Sequence, residues 1–301
     1  CCPDRRRAVS SVLLWYAAQV LSMYVLVAPC IQNPACRARG ITTDEDLDCF
    51  SRAVERCRRF SIEMVPLPCP ETIYLGADRE PGSFLNRLAT PEFAALLDRL
   101  EAEVRAAIRE RGEPPIAIVG VDSSPACGVT ATYRSSEKQP GRGAFLARFP
   151  DIPAVDVKEF SRYRVYLAGP LFTEAEQAYN LVLRDLLEAH LFDVYLPQEV
   201  GDTSHTRCRE ENGTIFARHL RALEETDIVV AVIDGADADS GTSWEMGYAY
   251  ALGKKVVALR TDFRIAGHHE LVNLMLEESA AVVTAKEDLP RALGSLLPAS
   301  G

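Results

Sequence analysis

An excess of positive charge is missing from this chain: 33 lysines and arginines stand against 43 acidic residues, a net charge of −10 at pH 7. That balance excludes broad, sequence-independent attraction to a nucleic acid or an anionic membrane. Repeats and low-complexity tracts are also missing, which excludes solenoids and disordered arrays. No Cys-x-x-Cys pair occurs among the nine cysteines, so no compact zinc or redox motif is present. An odd cysteine count in a long chain is also unlike a short secreted disulfide scaffold. The expectation is a reducing, cytoplasmic setting. Beyond residues 1–22, no apolar run is long enough to cross a bilayer. Those residues begin with three arginines before an apolar run, as a signal peptide does. Gln19 and Ser22 interrupt the run, however, and no small-residue cleavage site follows. Residues 1–22 therefore read as an N-terminal extension, with the ordered fold starting near Met23.

What is present is a pattern of short apolar runs alternating with amphipathic ones. The 301 residues are 48% hydrophobic, enough for two cores. In the first half, strands are expected at 24–28, 62–67 and 115–122. Helices are expected at 42–60 and 90–112, the second opening near Pro91 and stopping at Gly112. Prolines in 149–163 suggest a domain edge. The pattern then restarts, with strands at 164–172, 192–197, 228–234, 255–260 and 280–284 between helices. A long polar loop at 201–214 carries Arg207 and Arg209. It is expected to close over a ligand, with arginines that either meet a phosphate or stay solvated. Apolar strands separated by helices form parallel sheets covered on both faces. The expected fold is thus α/β in two domains. The C-terminal one is a doubly wound, Rossmann- or flavodoxin-like sheet of five parallel strands, and the N-terminal one is also α/β. The expected division is 1–22 extension, 23–150 first domain, 151–162 linker and 163–301 second domain. Such sheets bind ligands at the carboxyl ends of their strands.

In the second half, candidate groups fall at those ends. Tyr166 and Gly169 close one strand, and Asp239, Gly241 and Glu245 follow another. Thr242-x-x-Glu245 fits a capping box, in which the glutamate merely satisfies a helix start. The other reading makes Glu245 a nucleophile. A carboxylate can displace a base from an anomeric carbon and stabilise the positive charge that develops there. Gly241 and Gly247 bracket Glu245 with little bulk. The segments "VYLAGPLF", "LEETDIVVAVID", "SGTSWEMGYAYALGKKVVAL" and "NLMLEES" occur in that order. Together they resemble the nucleoside 2-deoxyribosyltransferase family over about residues 163–297. The resemblance implies Glu245 as nucleophile, Tyr166 as its hydrogen-bond partner and Asp239 beside sugar and base. It implies that Asn273 reaches the 5′-hydroxyl in a neighbouring subunit, hence a homo-oligomer acting on a small nucleoside or nucleobase without a cofactor. Where the family often carries an aspartate for the departing base, this chain has His219. A histidine can handle that proton near neutral pH, or it can be a plain surface residue.

In the first half, Cys30, Cys69 and Cys127 each follow an apolar strand, so parallel strands would carry all three to one sheet edge. Thiolates so gathered suit an iron–sulfur cluster or zinc; buried structural cysteine is the alternative. "APC…NPACRARG", "PCPE" and "SPACG" resemble the DUF523 family, which includes thiouracil desulfurases, over about residues 23–150. That resemblance implies a [4Fe–4S] cluster on Cys30, Cys69 and Cys127, with one iron open to the sulfur of a thiocarbonyl. Glu71, Ser123 and Ser124 become candidates for proton handling or substrate orientation. The family's usual "RYDG" is "RARG" here. The combined expectation is a bifunctional enzyme that strips sulfur from a thiolated base and makes or breaks an N-glycosidic bond. Two alternatives stand beside it: a glycosyl enzyme with a structural or iron-sensing first domain, and a nucleotide-binding module without catalysis. Iron content separates the first two, and base exchange or hydrolysis separates both from the third.

Overall fold

The structure is a computed structural model that describes residues 23–200, 208–267 and 269–297. The expected extension, 1–22, and half of the expected loop, 201–207, lie outside the described residues. Among the described residues, no helix is long and apolar enough to cross a membrane. The chain divides into two compact units between Ser161 and Arg162.

In the first unit, β1 (Tyr24–Val27), β2 (Glu63–Pro66), β3 (Ile118–Gly120) and β6 (Ala154–Asp156) form a sheet in the order β2-β1-β3-β6, all parallel. A small hairpin, β4 (Ala131–Tyr133) with β5 (Lys138–Pro140), lies between β3 and β6 in sequence. Helix α1 (Asp44–Arg59) starts with a Thr43–Asp46 capping box and ends in arginines, as the helix dipole favours. Helix α2 (Pro70–Leu75) follows β2, and α3 (Pro91–Arg111) ends at Gly112, whose φ of 77° no side-chain residue adopts easily. The expected linker, 151–162, is not one. Its Ala154–Asp156 is the fourth strand of this sheet, and Val157 and Phe160 of the short helix after it are buried. Three residues beside a proline carry too little pattern to read as a strand, and pairing with β3 supplies what the sequence alone does not.

The second unit is a five-stranded parallel sheet in the order β11-β10-β9-β7-β8. Its strands are β7 (Arg164–Ala168), β8 (Asp193–Tyr195), β9 (Ile228–Val232), β10 (Lys255–Leu259) and β11 (Ala281–Val283). Counted within the unit this is the 2-1-3-4-5 order of flavodoxin-like sheets, whose strand order reverses between its first and third strands. Those strands are β7 and β9, both buried throughout apart from Arg164. The helices are α4 (Glu174–Ala189), α5 (Arg209–Glu225) and α6 (Ser240–Ala251). Helix α5 begins at Arg209, so 209–214 is helical rather than loop. Glu211 closes back on the amide of Cys208 and starts the helix earlier than the apolar pattern does.

Candidate functional site

The reversal between β7 and β9 puts two strand ends side by side, and the second unit's chemical groups gather there. Tyr166 lies on β7, directly paired with Val229 of β9 and with Tyr195 of β8. Paired residues on parallel strands share a face. The rings of Tyr166 and Tyr195 accordingly stack, with centroids 5.3 Å apart and planes at 19°. The Tyr166 hydroxyl donates to Glu245 Oε1 at 2.5 Å. Tyr195 in turn meets His219 of α5, with its hydroxyl 2.9 Å from Nδ1. One chain of contacts thus joins Glu245, Tyr166, Tyr195 and His219.

Glu245 is not half of a capping box. Helix α6 begins at Ser240, two residues before the expected start, and Asp239 is its cap. The Asp239 carboxylate accepts from the amide of Thr242 at 2.9 Å and from its hydroxyl at 3.2 Å. This leaves Glu245 in the second turn, turned toward β7. Burial pushes its carboxyl up to about 7, the Tyr166 hydrogen bond pulls it down, and the charge of Asp239 adds to the rise. Burial also raises Tyr166, with the Glu245 charge adding. His219 is half-buried, and burial together with Arg218 lowers its pKa, which favours the neutral ring.

The glycines differ in their reasons. A side chain at Gly169 would meet Asn180 Oδ1 at 3.1 Å and Val232 at 3.4 Å, so close packing of the β7 end requires its absence. At Gly241 a Cβ would stand 3.0 Å from Asp239 Oδ2, crowding the cap. A Cβ at Gly247 meets nothing, so no steric argument applies to it. Asn273 is exposed and caps the short helix Leu274–Glu277 through Oδ1. Sequence reasoning missed Tyr195 and Arg260. Buried Arg260 donates to the carbonyls of Ile233 and Gly235 and so pins the loop from β9 toward Asp239.

In the first unit, Cys30, Cys69 and Cys127 follow β1, β2 and β3, near enough for their charges to act on one another. Burial pushes the Cys30 thiol up to about 12, with Arg37 opposing and Cys69 adding. Burial also raises the thiol of buried Cys127, and neighbouring Cys69, Cys30 and Glu71 reinforce the shift. Cys69 caps α2; its sulfur accepts from the amide and hydroxyl of Thr72 at 3.4 and 3.1 Å. Ser124 donates to Glu71 Oε1 at 3.0 Å and accepts from the amide of Cys127 at 2.9 Å. Ser123 beside it holds a φ of 76°, a conformation that costs a non-glycine residue free energy. Arg79, buried, donates to Thr72 Oγ1 and to the carbonyl of Cys36, and pairs with Glu71 at 3.5 Å.

Among the described residues, no three of His, Cys, Asp or Glu converge closely enough to hold a single metal ion. A tetrahedral zinc at about 2.3 Å from each sulfur would need thiolates about 3.8 Å apart. A cluster places each thiolate on a different iron and needs wider spacing. Arg37, beside Cys30, keeps Nε and Nη1 buried with no partner among the described residues.

A largely buried carboxylate held by a tyrosine stands at the reversal of a parallel α/β sheet, the place where such folds bind ligands. The comparisons with known proteins add to this. Residues 165–282, in the C-terminal unit, match the family described as nucleoside 2-deoxyribosyltransferase. A curated relative, an uncharacterised protein of Ureaplasma parvum serovar 3, is 34% identical over 131 residues, covering 38% of this chain and 82% of the relative. The 2-deoxyribosyltransferase of Bacillus psychrosaccharolyticus is 26% identical; the match covers 42% of this chain and 89% of that one, with a TM-score of 0.38. A conserved protein of Enterococcus faecalis V583 is 29% identical, covering 44% and 96%, with a TM-score of 0.39.

Proposed function

We propose that the second unit cleaves or transfers at the N-glycosidic bond of a 2′-deoxynucleoside through a covalent intermediate on Glu245. The observation that carries this reading is the 2.5 Å bond from Tyr166 to a carboxylate buried at the sheet's reversal. The Glu245 oxygen attacks C1′, the C1′–N bond breaks, and its electron pair leaves with the base. The charge developing on the sugar is met by the carboxylate. Tyr166 holds one oxygen and so orients the other. His219 lies two rings from Glu245, through Tyr166 and Tyr195, and the resemblance makes it the residue that faces the base. A second base, or water, then attacks C1′ and frees the glutamate. The resemblance also supports a homo-oligomer in which Asn273 serves a neighbouring site, and free thiols accord with a cytoplasmic setting. The test incubates a deoxynucleoside with a second free base, comparing wild type with Glu245→Ala. Exchange should vanish in the variant, and equal exchange by both proteins would end the assignment.

The first unit is proposed to hold a [4Fe–4S] cluster on Cys30, Cys69 and Cys127 and to remove sulfur from a thiolated base. When bound, the cluster would supply an open iron with affinity for a thiocarbonyl sulfur. What supports this is that three thiols follow three strands and act on one another's charge, beside half-buried Arg37 and buried Arg79. Glu71 would accept the Ser124 proton, and Ser124, held by the amide of Cys127, would orient the thiolated base. Anaerobic reconstitution of the full chain should give iron binding and broad absorption near ~400 nm, where thiolate-to-iron transitions lie. Undiminished iron binding in Cys69→Ala would refute Cys69 as a ligand.

A further inference from the structure

The register of β7 and β8 sets Tyr195 against Tyr166, and the stacked rings leave the Tyr195 hydroxyl directed at α5. There it meets His219 Nδ1 at 2.9 Å, with the two rings edge to face and their centroids 5.9 Å apart. One ring nitrogen of His219 is therefore occupied before any ligand arrives. A phenol is a better donor than acceptor, so the hydroxyl proton points at Nδ1. In a neutral imidazole the remaining proton is then on Nε2.

We propose that Tyr195 is a positioning residue that fixes His219 as a hydrogen-bond donor through Nε2–H, so that the site selects nucleobases presenting an acceptor on that edge. This rests on the glycosyl-transfer reading above and extends it to base selection. An aspartate at this position would present an acceptor and, when protonated, a donor. A neutral histidine backed by a tyrosine presents a donor only. The neutral state accords with the downward shift that burial and Arg218 impose on His219. The arrangement makes His219 a reader of the base edge rather than a strong acid toward it. Tyr195 also lies near Glu245: burial raises the Tyr195 phenol, Arg218 opposes the rise, and the Glu245 charge adds to it. The same tyrosine therefore borders the sugar position and supports the residue facing the base.

Two measurements on the full chain test this. The first is the histidine tautomer, read from long-range ¹H–¹⁵N correlations at pH 8. The chain has five histidines, and His219→Gln assigns the relevant signals by their loss. The expected result is an Nε2–H tautomer in wild type that loses its preference in Tyr195→Phe, a variant that keeps the ring stack. An Nδ1–H tautomer in wild type overturns the proposal. The second is base discrimination. 2′-Deoxyadenosine is compared with its 7-deaza and 3-deaza analogues, each lacking one acceptor nitrogen. Tyr195→Phe should raise KM for deoxyadenosine roughly three- to tenfold, the worth of one hydrogen bond, with kcat less affected. For the analogue that lacks the acceptor facing α5, that penalty should disappear. An equal penalty on all three nucleosides would mark Tyr195 as merely structural. Inactivity of wild type on every deoxynucleoside would overturn the glycosyl reading and base selection together. The tautomer would still be decided by the spectra alone.

Discussion

At the residue scale, Glu245 carries a conflict between stability and reactivity. Its carboxyl is raised from 4.5 to about 7, chiefly by burial. Below pH 4.5 the group is neutral in both folded and unfolded chains, so its raised pKa costs nothing there. Between 4.5 and 7 the unfolded chain ionises first, and folded stability falls as pH rises. Above 7 the loss is complete, up to about 3 kcal/mol. Glu245→Gln should therefore be more stable than wild type in urea at pH 8, by a margin that vanishes at pH 4. A margin independent of pH would mean that burial is not what raises the group. Glu245 drew notice in the sequence because two glycines flank it in one short stretch, although its helix starts earlier, at Ser240. Tyr195 did not, because a tyrosine at the end of a three-residue strand has no pattern of its own. Its meaning comes from pairing with Tyr166, 29 positions earlier in the chain by the numbering.

At the element scale, α6 depends on Asp239 in two ways that substitution can separate. Its carboxylate caps the helix, and its charge helps raise Glu245. Asp239→Asn keeps a capping oxygen and removes the charge, so the acid limb of kcat/KM should move to lower pH with little loss of stability. Asp239→Ala removes both and should cost about 1 kcal/mol as well. A pH profile unmoved in both variants, measured beside thermal unfolding, would detach Asp239 from Glu245. The sequence misplaced this helix start because Thr242 and Glu245 make a legitimate capping box. What decides between the two starts is Tyr166, which claims the glutamate from another strand. The strand Ala154–Asp156 was hidden for a similar reason: its pattern is too short to count until β3 pairs with it.

At the scale of the whole chain, alternating apolar runs were enough to give two α/β units, because buried parallel strands need continuous apolar sequence. Both sheets begin with the same reversal, β2-β1-β3 in one and β8-β7-β9 in the other. Each candidate site lies at strand ends beside its own reversal, and each unit has its own buried residues. The chemistry should therefore divide where the fold does. A chain cleaved between Ser161 and Arg162 at an engineered protease site should separate into two folded parts. Iron binding should follow the part ending at Ser161, since Cys30, Cys69 and Cys127 all lie in it. Base exchange should follow the part beginning at Arg162, which holds Tyr166, Tyr195, His219 and Glu245. The measurements are iron per chain after reconstitution and exchange rate per chain after separation. Exchange that falls only when Cys69→Ala is introduced in the uncut chain would instead mean that the two sites work as one, and the separation argued from the two sheets would be wrong.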